Sequence, residues 1–113
     1  PHCASDTTLL ERLAGAELIW ERRIAIIATF HHLRLGQIDP SLRLAGQLVA
    51  DEHDLIHKAV GWVLREVGKL DRAAEGRFLK RHYRAMPRTM LRYAIEKFPE
   101  GLRQRYLKGI ALS

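Results

Sequence analysis

Three segments of the sequence repeat one alanine-centred pattern, and this repeat limits the chain to few folds. The alanines are Ala25, Ala59 and Ala94, which lie 34 and 35 residues apart. In each segment a basic residue stands two positions before the alanine, and an apolar residue directly follows it. Such a period is typical of helical repeat arrays, in which each helix pair buries its apolar face against its neighbours. The repeat therefore predicts a stack of helix pairs.

Apolar residues recur at helical spacing along the whole chain, and no stretch alternates as a half-buried strand would. Start and stop signals such as Asp39-Pro40 divide the chain into helices joined by short connections. The predicted helices are a short first one capped within Asp6-Thr7-Thr8 and ending near Gly15, then Glu17 to Arg34, Pro40 to Ala50, Asp51 or Glu52 to Gly68, one capped by Asp71 and running through Tyr83, Pro87 to Phe98, and one beginning at Pro99.

The period lies slightly closer to that of tetratricopeptide units than to the roughly 40 residues of HEAT units. However, the Trp, Gly and Tyr positions typical of tetratricopeptide units do not recur. We therefore predict an all-α fold, a HEAT-like helical repeat solenoid of about seven helices, in a single domain over residues 1–113. An irregular helical bundle is the alternative.

The composition favours a polyanionic partner. Nineteen Lys and Arg against thirteen Asp and Glu give a net charge of +6 and an isoelectric point near 10.0, which favours nucleic acid first and an anionic membrane surface second. Cys3 is the single cysteine, so we expect a reducing cytoplasmic location. No apolar run approaches the length of a membrane span. Pro1 stands where an initiator Met would, so we expect this chain to be part of a longer protein.

A tryptophan stands among cations on the fourth predicted helix. At 100° per residue, Trp62 lies opposite the apolar stripe of that helix. One interpretation is structural: the indole packs beneath a neighbouring helix, and Arg65 pairs with Glu66 or another carboxylate. The other is a nucleic-acid surface, with cations for phosphates and an indole for a base or a cationic lesion. The apolar stripe is Ile56, Val60, Val63, Leu64 and Val67, and the cations are Lys58, Arg65 and Lys69.

Cations also occur on the equivalent helices of the other repeats. Arg22 and Arg23 lie near the start of the second predicted helix, and Arg88 and Arg92 lie one turn apart on the sixth. Stacked repeats would align these side chains along one concave surface, which suits a duplex backbone. This recurrence favours the nucleic-acid interpretation.

Four segments in order resemble the AlkD-type DNA alkylation repair glycosylases. They are Trp20 to Ala25, Ala59 to Glu66, Met86 to Thr89 and Leu91 to Pro99. The resemblance implies a HEAT-like solenoid that cradles double-stranded DNA and hydrolyses the N-glycosidic bond of cationic N3- or N7-alkylated purines, without a cofactor or metal ion. It also implies an association with the nucleoid.

The resemblance also assigns roles to individual residues. Trp62 matches an indole that lies against the lesion nucleotide, where cation–π attraction would favour a developing oxocarbenium sugar. Arg23 and Arg65 match arginines that grip the phosphates beside the lesion. The family's catalytic aspartate and a second tryptophan lie in an element that closely precedes a Pro-His, which Pro1-His2 resembles. The resemblance therefore implies that this chain is the C-terminal part of the enzyme and that the catalytic carboxylate lies upstream. We expect this chain alone to bind DNA weakly and to excise little or nothing.

Other motifs indicate less. His53 and His57 have a spacing that can bind zinc, but no third ligand follows at a motif spacing. His31 and His32 either touch phosphate or favour the end of their helix through its dipole. Two alternatives to the glycosylase part remain open: a non-catalytic binder of branched or distorted DNA in the same superfamily, and a helical-repeat scaffold for protein interaction.

Overall fold

The protein, described by a computed structural model over residues 9–108, consists of helices joined by short turns, and no strand occurs within that range. The predicted all-α fold and the predicted number of helices are confirmed for this part of the chain. The helices are α1 (residues 9–14), α2 (Ile19–Arg34), α3 (Asp39–Leu48), α4 (Asp54–Leu70), α5 (Arg72–His82), α6 (Arg88–Ala94) and α7 (Glu100–Leu107).

Helix α4 lies at the centre and contacts four others. It packs between α2 and α6, and it also contacts α3 and α5. Burying aliphatic side chains is the main favourable term in folding, so α4 organises the core. Its predicted apolar stripe is confirmed, because each of the following side chains is completely buried: Ile56, Val60, Val63, Leu64 and Val67.

The repeat has a direct structural counterpart. Ala25, Ala59 and Ala94 are all buried, one on each of α2, α4 and α6. The apolar residue after each alanine is completely buried as well, and these residues are Ile26, Val60 and Ile95. The repeated segments therefore form the neighbouring inner helices α2, α4 and α6, each with its alanine toward the core.

A glycine permits the closest of these contacts. A β-carbon at Gly61 would lie 2.6 Å from the backbone oxygen of Met90 and 2.6 Å from Cβ of Tyr93. Both distances are shorter than van der Waals contact, so a larger residue would force α4 and α6 apart. Gly61 thus sets the spacing between the central helix and the last inner helix.

Several predicted boundaries differ from the observed ones. Helix α4 begins at Asp54, and Nδ1 of His53 accepts a hydrogen bond from the Leu55 amide as its N-cap. Asp51, predicted to open this helix, instead accepts from the His53 amide and from Arg22. Helix α6 ends at Ala94 rather than at Phe98, since residues 95–97 form a turn.

The buried face of α2 differs in part from its predicted stripe. The helical spacing predicts a buried stripe of Ile19, Ile26, Ile27, Phe30 and Leu33. Of these, Ile26 and Leu33 are buried, whereas Ile19, Ile27 and Phe30 are half-buried. His32 is buried, with Nδ1 3.3 Å from Oε1 of Gln37, so its ring does not lie on the surface. Helix α2 packs against both α3 and α4, which spreads its buried residues around more of the helix than one stripe.

Some sequence predictions fall outside the described residues. These are the caps proposed within Asp6-Thr7-Thr8, the chemistry of Cys3 and the resemblance of Pro1-His2. The cap predicted at Asp71 lies within them and is confirmed, because its Oδ1 accepts a hydrogen bond from the Ala74 amide at 3.0 Å.

A glutamate is buried between α4 and α5. Glu75 is 1% exposed, and its Oε2 has no hydrogen-bond partner within the described part of the chain. Its Oε1 lies directly over Gly68, where a β-carbon would overlap it. Burial raises the pKa of Glu75 to about 8, although the charge of Arg72 acts to lower it. The carboxyl group is therefore mainly neutral at pH 7.

The stability of the chain should depend on this carboxyl group. Between pH 4.5 and about 8 the folded state holds a proton at Glu75 that the unfolded state releases. The free energy of unfolding should therefore fall as pH rises through this window, by at most about 1.4 kcal/mol per pH unit from this group. Glu75→Gln should remove that slope, as measured by urea unfolding at pH 5 and pH 8.

Glu52→Gln is the matched control, because Glu52 is exposed. It should leave the pH dependence as in the wild type. Equal pH profiles for wild type and Glu75→Gln would show that Glu75 ionises normally in the folded chain.

Candidate nucleic-acid interface

Trp62 packs against an aromatic ring of a neighbouring helix and is about half exposed. Its ring centroid lies 5.4 Å from that of Phe30 on α2, with 64° between the ring planes, which is an edge-to-face arrangement. The side chain is nevertheless 48% exposed. Neighbouring packing therefore orients the indole without covering it, so both interpretations of this residue describe part of its surroundings.

Two lysines near Trp62 have carboxylate partners on their own helix. Nζ of Lys58 lies 3.3 Å from Oδ2 of Asp54, and Nζ of Lys69 lies 3.0 Å from Oε2 of Glu66. Both lysines are about half exposed. Exposed pairs of this kind contribute only about 0–1 kcal/mol, so either lysine can exchange its carboxylate for another anion at little cost.

Arg65 joins α4 to the turn after α6. Its Nη1 donates to Oε1 of Glu96, and its Nε lies 3.6 Å from Oε2 of Glu66. Its side chain is 23% exposed, less than those of the nearby lysines. Arg65 is thus tied to two carboxylates, as the structural interpretation of this face expected.

Arg22 has a structural environment. Its Nε donates to Oδ2 of Asp51 at 2.7 Å, and its Nη1 donates to the backbone oxygens of Ala16 at 3.0 Å and Glu17 at 2.7 Å. These bonds join the start of α2 to the segment that precedes it and to the segment that connects α3 with α4. The predicted pair Arg22 and Arg23 therefore divides into one tied side chain and one open one.

The remaining predicted cations are exposed. Arg23 on α2 and Arg92 on α6 have no ion pair among the described residues. Arg88 is also exposed, but its Nη1 donates to the backbone oxygen of Leu107 at 3.0 Å. Arg23 and Arg92 lie on the two helices that flank α4, which carries Trp62.

The sequence prediction missed exposed apolar side chains on the same helices. Ile24 is 59% exposed and Tyr93 is 40% exposed, and each directly precedes a repeat alanine. Lys58 occupies the same position in the middle repeat and is also exposed. Aligning the repeats at this position would have identified both residues. Trp20, one turn before Ile24, is 62% exposed.

The two histidines whose spacing can bind zinc have other partners. His53 caps α4, and Nε2 of His57 hydrogen-bonds to the backbone oxygen of Asp51. The described residues contain no group of three or more His, Cys, Asp or Glu positioned to hold a metal ion. None of the helices between residues 9 and 108 is long and apolar enough to cross a membrane.

The two adjacent arginines of α2 should respond differently to neutralisation. Arg22→Gln should lower the free energy of unfolding by about 1–3 kcal/mol, because it leaves Asp51 and two carbonyl groups without their donor. Arg23→Gln should change it by no more than about 0.5 kcal/mol, because the side chain is exposed and has no ion pair within the described range. Urea unfolding of both variants checks this difference, and equal losses would contradict the structural role of Arg22.

A comparison with protein-family profiles identifies the family of this chain. Residues 2–98 match the family described as DNA alkylation repair enzyme. No match was found among curated proteins or among solved structures. The match covers most of the chain and includes Trp62 and every cation discussed above. The chain therefore belongs to the DNA alkylation repair enzyme family, and its role lies in DNA repair.

Proposed function

We propose that the inner helices α2, α4 and α6 bind double-stranded DNA, and that the protein carrying this chain releases cationic N3- or N7-alkylated purines from it. The observation that carries the proposal is the setting of Trp62, an indole that packs edge-to-face with Phe30 and is half exposed between helices that present Arg23 and Arg92.

The chemistry of the lesion suits such a face. An alkylated purine carries a positive charge and is a good leaving group, so its loss needs stabilisation of positive charge on the sugar. An indole face attracts cations by about 0.5–2 kcal/mol, and more strongly as water is excluded. Trp62 would thus contact the lesion nucleotide, while Arg23 and Arg92 contact the backbone phosphates.

The paired cations can join this contact. Lys58 and Lys69 would exchange exposed carboxylate partners for phosphates, which costs little. Arg65 would exchange Glu96, which is itself 52% exposed, for a phosphate. Release of condensed counterions from DNA then supplies much of the binding free energy.

The two carboxylates beside Arg65, Glu66 and Glu96, do not supply a free catalytic base on this face. Glu66 and Glu96 both pair with Arg65. This supports the expectation that the family's catalytic aspartate lies outside the chain and that the chain is the DNA-gripping part of the enzyme. The same observation favours the second candidate, a non-catalytic binder of branched or distorted DNA.

The decisive measurement is the release of alkylated purines from methylated duplex DNA by the full-length gene product. Trp62→Ala should slow release by up to about 30-fold, the equivalent of a cation–π contribution of about 2 kcal/mol. Arg65→Ala should also slow release. Arg105→Ala on α7 is the control, because Arg105 is exposed and has no ion pair in the described range.

Each other outcome selects another function. Wild-type release by both site variants would show that the assigned face is wrong. Salt-dependent DNA binding without release by the wild type would identify a non-catalytic binder. Absence of DNA binding at low salt would leave the protein-interaction scaffold.

The Glu96 carboxylate should restrain DNA binding. Glu96→Gln releases Arg65 and should raise affinity for undamaged duplex about two- to fivefold at low salt, because one more cation reaches a phosphate. Fluorescence anisotropy measures this change. Glu100→Gln alters the net charge equally but frees Arg103 on α7. If both variants gain equally, the gain is a net-charge effect and Arg65 is not at the interface.

A further inference from the structure

A second group of cations lies on α5, on the outer layer of helices. Arg77, Lys80, Arg81 and Arg84 follow one another at spacings of three, one and three residues. The first three lie within α5 and the fourth lies just after it, and all four are exposed. Helical spacing places them on one side of the helix, and we call them the outer stripe.

The outer stripe points away from the central helix. Helix α5 buries Glu75, Phe78 and Leu79, and Glu75 contacts Gly68 on the buried side of α4. Trp62 lies on the side of α4 opposite that helix's buried stripe. The outer stripe and the Trp62 face therefore lie on opposite sides of the packed pair α4 and α5.

Helices α4 and α5 differ in how the charge of their exposed cations is balanced. Lys58, Arg65 and Lys69 of α4 each pair with a carboxylate. In contrast, neither Arg77, Lys80 nor Arg81 has an ion pair within the part of the chain that the structure describes. Like charges three and four residues apart destabilise a helix. An external anion would therefore stabilise the cations of α5 more than the cations of α4, which already have carboxylate partners.

A groove borders the stripe. Helices α3 and α5 both pack on α4 and leave about 510 Å³ between them, with Leu42 and Phe78 among its apolar lining. Arg43, Arg77 and Arg81 line it, and Asp39 is its one carboxylate within residues 9–108. The stripe continues past the groove to Lys80 and Arg84, so the cationic surface is longer than the groove.

We infer that the outer stripe is a second, sequence-independent binding site for the phosphate backbone of duplex DNA. From Arg77 to Arg84 the stripe advances by seven residue steps, about 10 Å at the rise of a helix, which spans about three phosphates of one strand along the duplex axis. A line of cations without ion pairs among residues 9–108 matches such a line of phosphates, whereas an acidic peptide would need the apolar groove that the stripe extends beyond. The site goes beyond the proposed function, because a protein with two opposite DNA faces can hold two duplexes.

The test is the number of short undamaged duplexes bound per protein at low ionic strength, measured by calorimetric titration. The wild type should bind two. Arg77→Gln/Lys80→Gln/Arg81→Gln should bind one, because it removes three of the cations that would contact the second duplex. The control Arg12→Gln/Arg105→Gln/Lys108→Gln loses the same charge from exposed positions that have no ion pair with any described residue, and it should still bind two.

A separate variant distinguishes this site from the proposed function. Trp62→Ala/Arg92→Gln should also bind one duplex, held by the outer stripe. If it binds two, the proposed inner face is wrong. The outer site is then still tested by the stripe variant. A single duplex bound by the wild type, or equal binding by the stripe variant and its control, would overturn the inference. The inference would also be overturned if the stripe variant lost binding to poly-glutamate but still bound two duplexes. That result would indicate that the partner of the stripe is an acidic protein.

Discussion

Burial of the α4 stripe is the interaction on which the rest of the structure depends. Five completely buried aliphatic side chains on one helix contribute about 1.5–3 kcal/mol each relative to exposure. No exposed ion pair in the described chain has a comparable effect. Because α4 contacts α2, α3, α5 and α6, the same burial fixes both layers, and Gly61 brings α6 close enough to complete the inner layer.

This arrangement separates packing from charge. Apolar side chains hold the helices together, which leaves the cations free to differ in their surroundings. On the inner helices, Lys58, Arg65 and Lys69 are balanced by carboxylates, while Arg23 and Arg92 are open. A balanced surface attracts polyanions less strongly at long range but can exchange partners on contact. The uncompensated surface on α5 has no such restraint.

Two polar groups of the protein have opposite effects on its stability. Arg22 joins the start of α2 to Asp51 and two carbonyl groups, so a cation that is near the interface in sequence serves the fold. Glu75 is buried without a cationic partner at hydrogen-bond distance and remains mainly protonated. Such a group opposes folding at alkaline pH, and the packing of α4 against α5 must outweigh it.

The sequence predicted those features that depend on periodicity. The spacing of Ala25, Ala59 and Ala94 identified three equivalent helices. The apolar stripe of α4 was correct at every position, because a helix with one buried face must repeat its apolar residues about every 3.6 residues. Family membership followed from segments such as Trp20 to Ala25. Prediction was weaker for α2, whose contacts with two helices blur a single stripe.

Which cations are free was decided by the tertiary structure. Arg22 and Arg23 are neighbours with the same side chain, yet only the fold brings Asp51 to one of them. The pairing of Arg65 with Glu96, 31 residues away, and the burial of Glu75 over Gly68 are likewise invisible to local spacing. The sequence by itself determined the helices, their repeat and the position of Trp62 outside the core. Only the tertiary structure decided the partner of each charge, because ion pairs and burial depend on distances between residues that are remote in the chain.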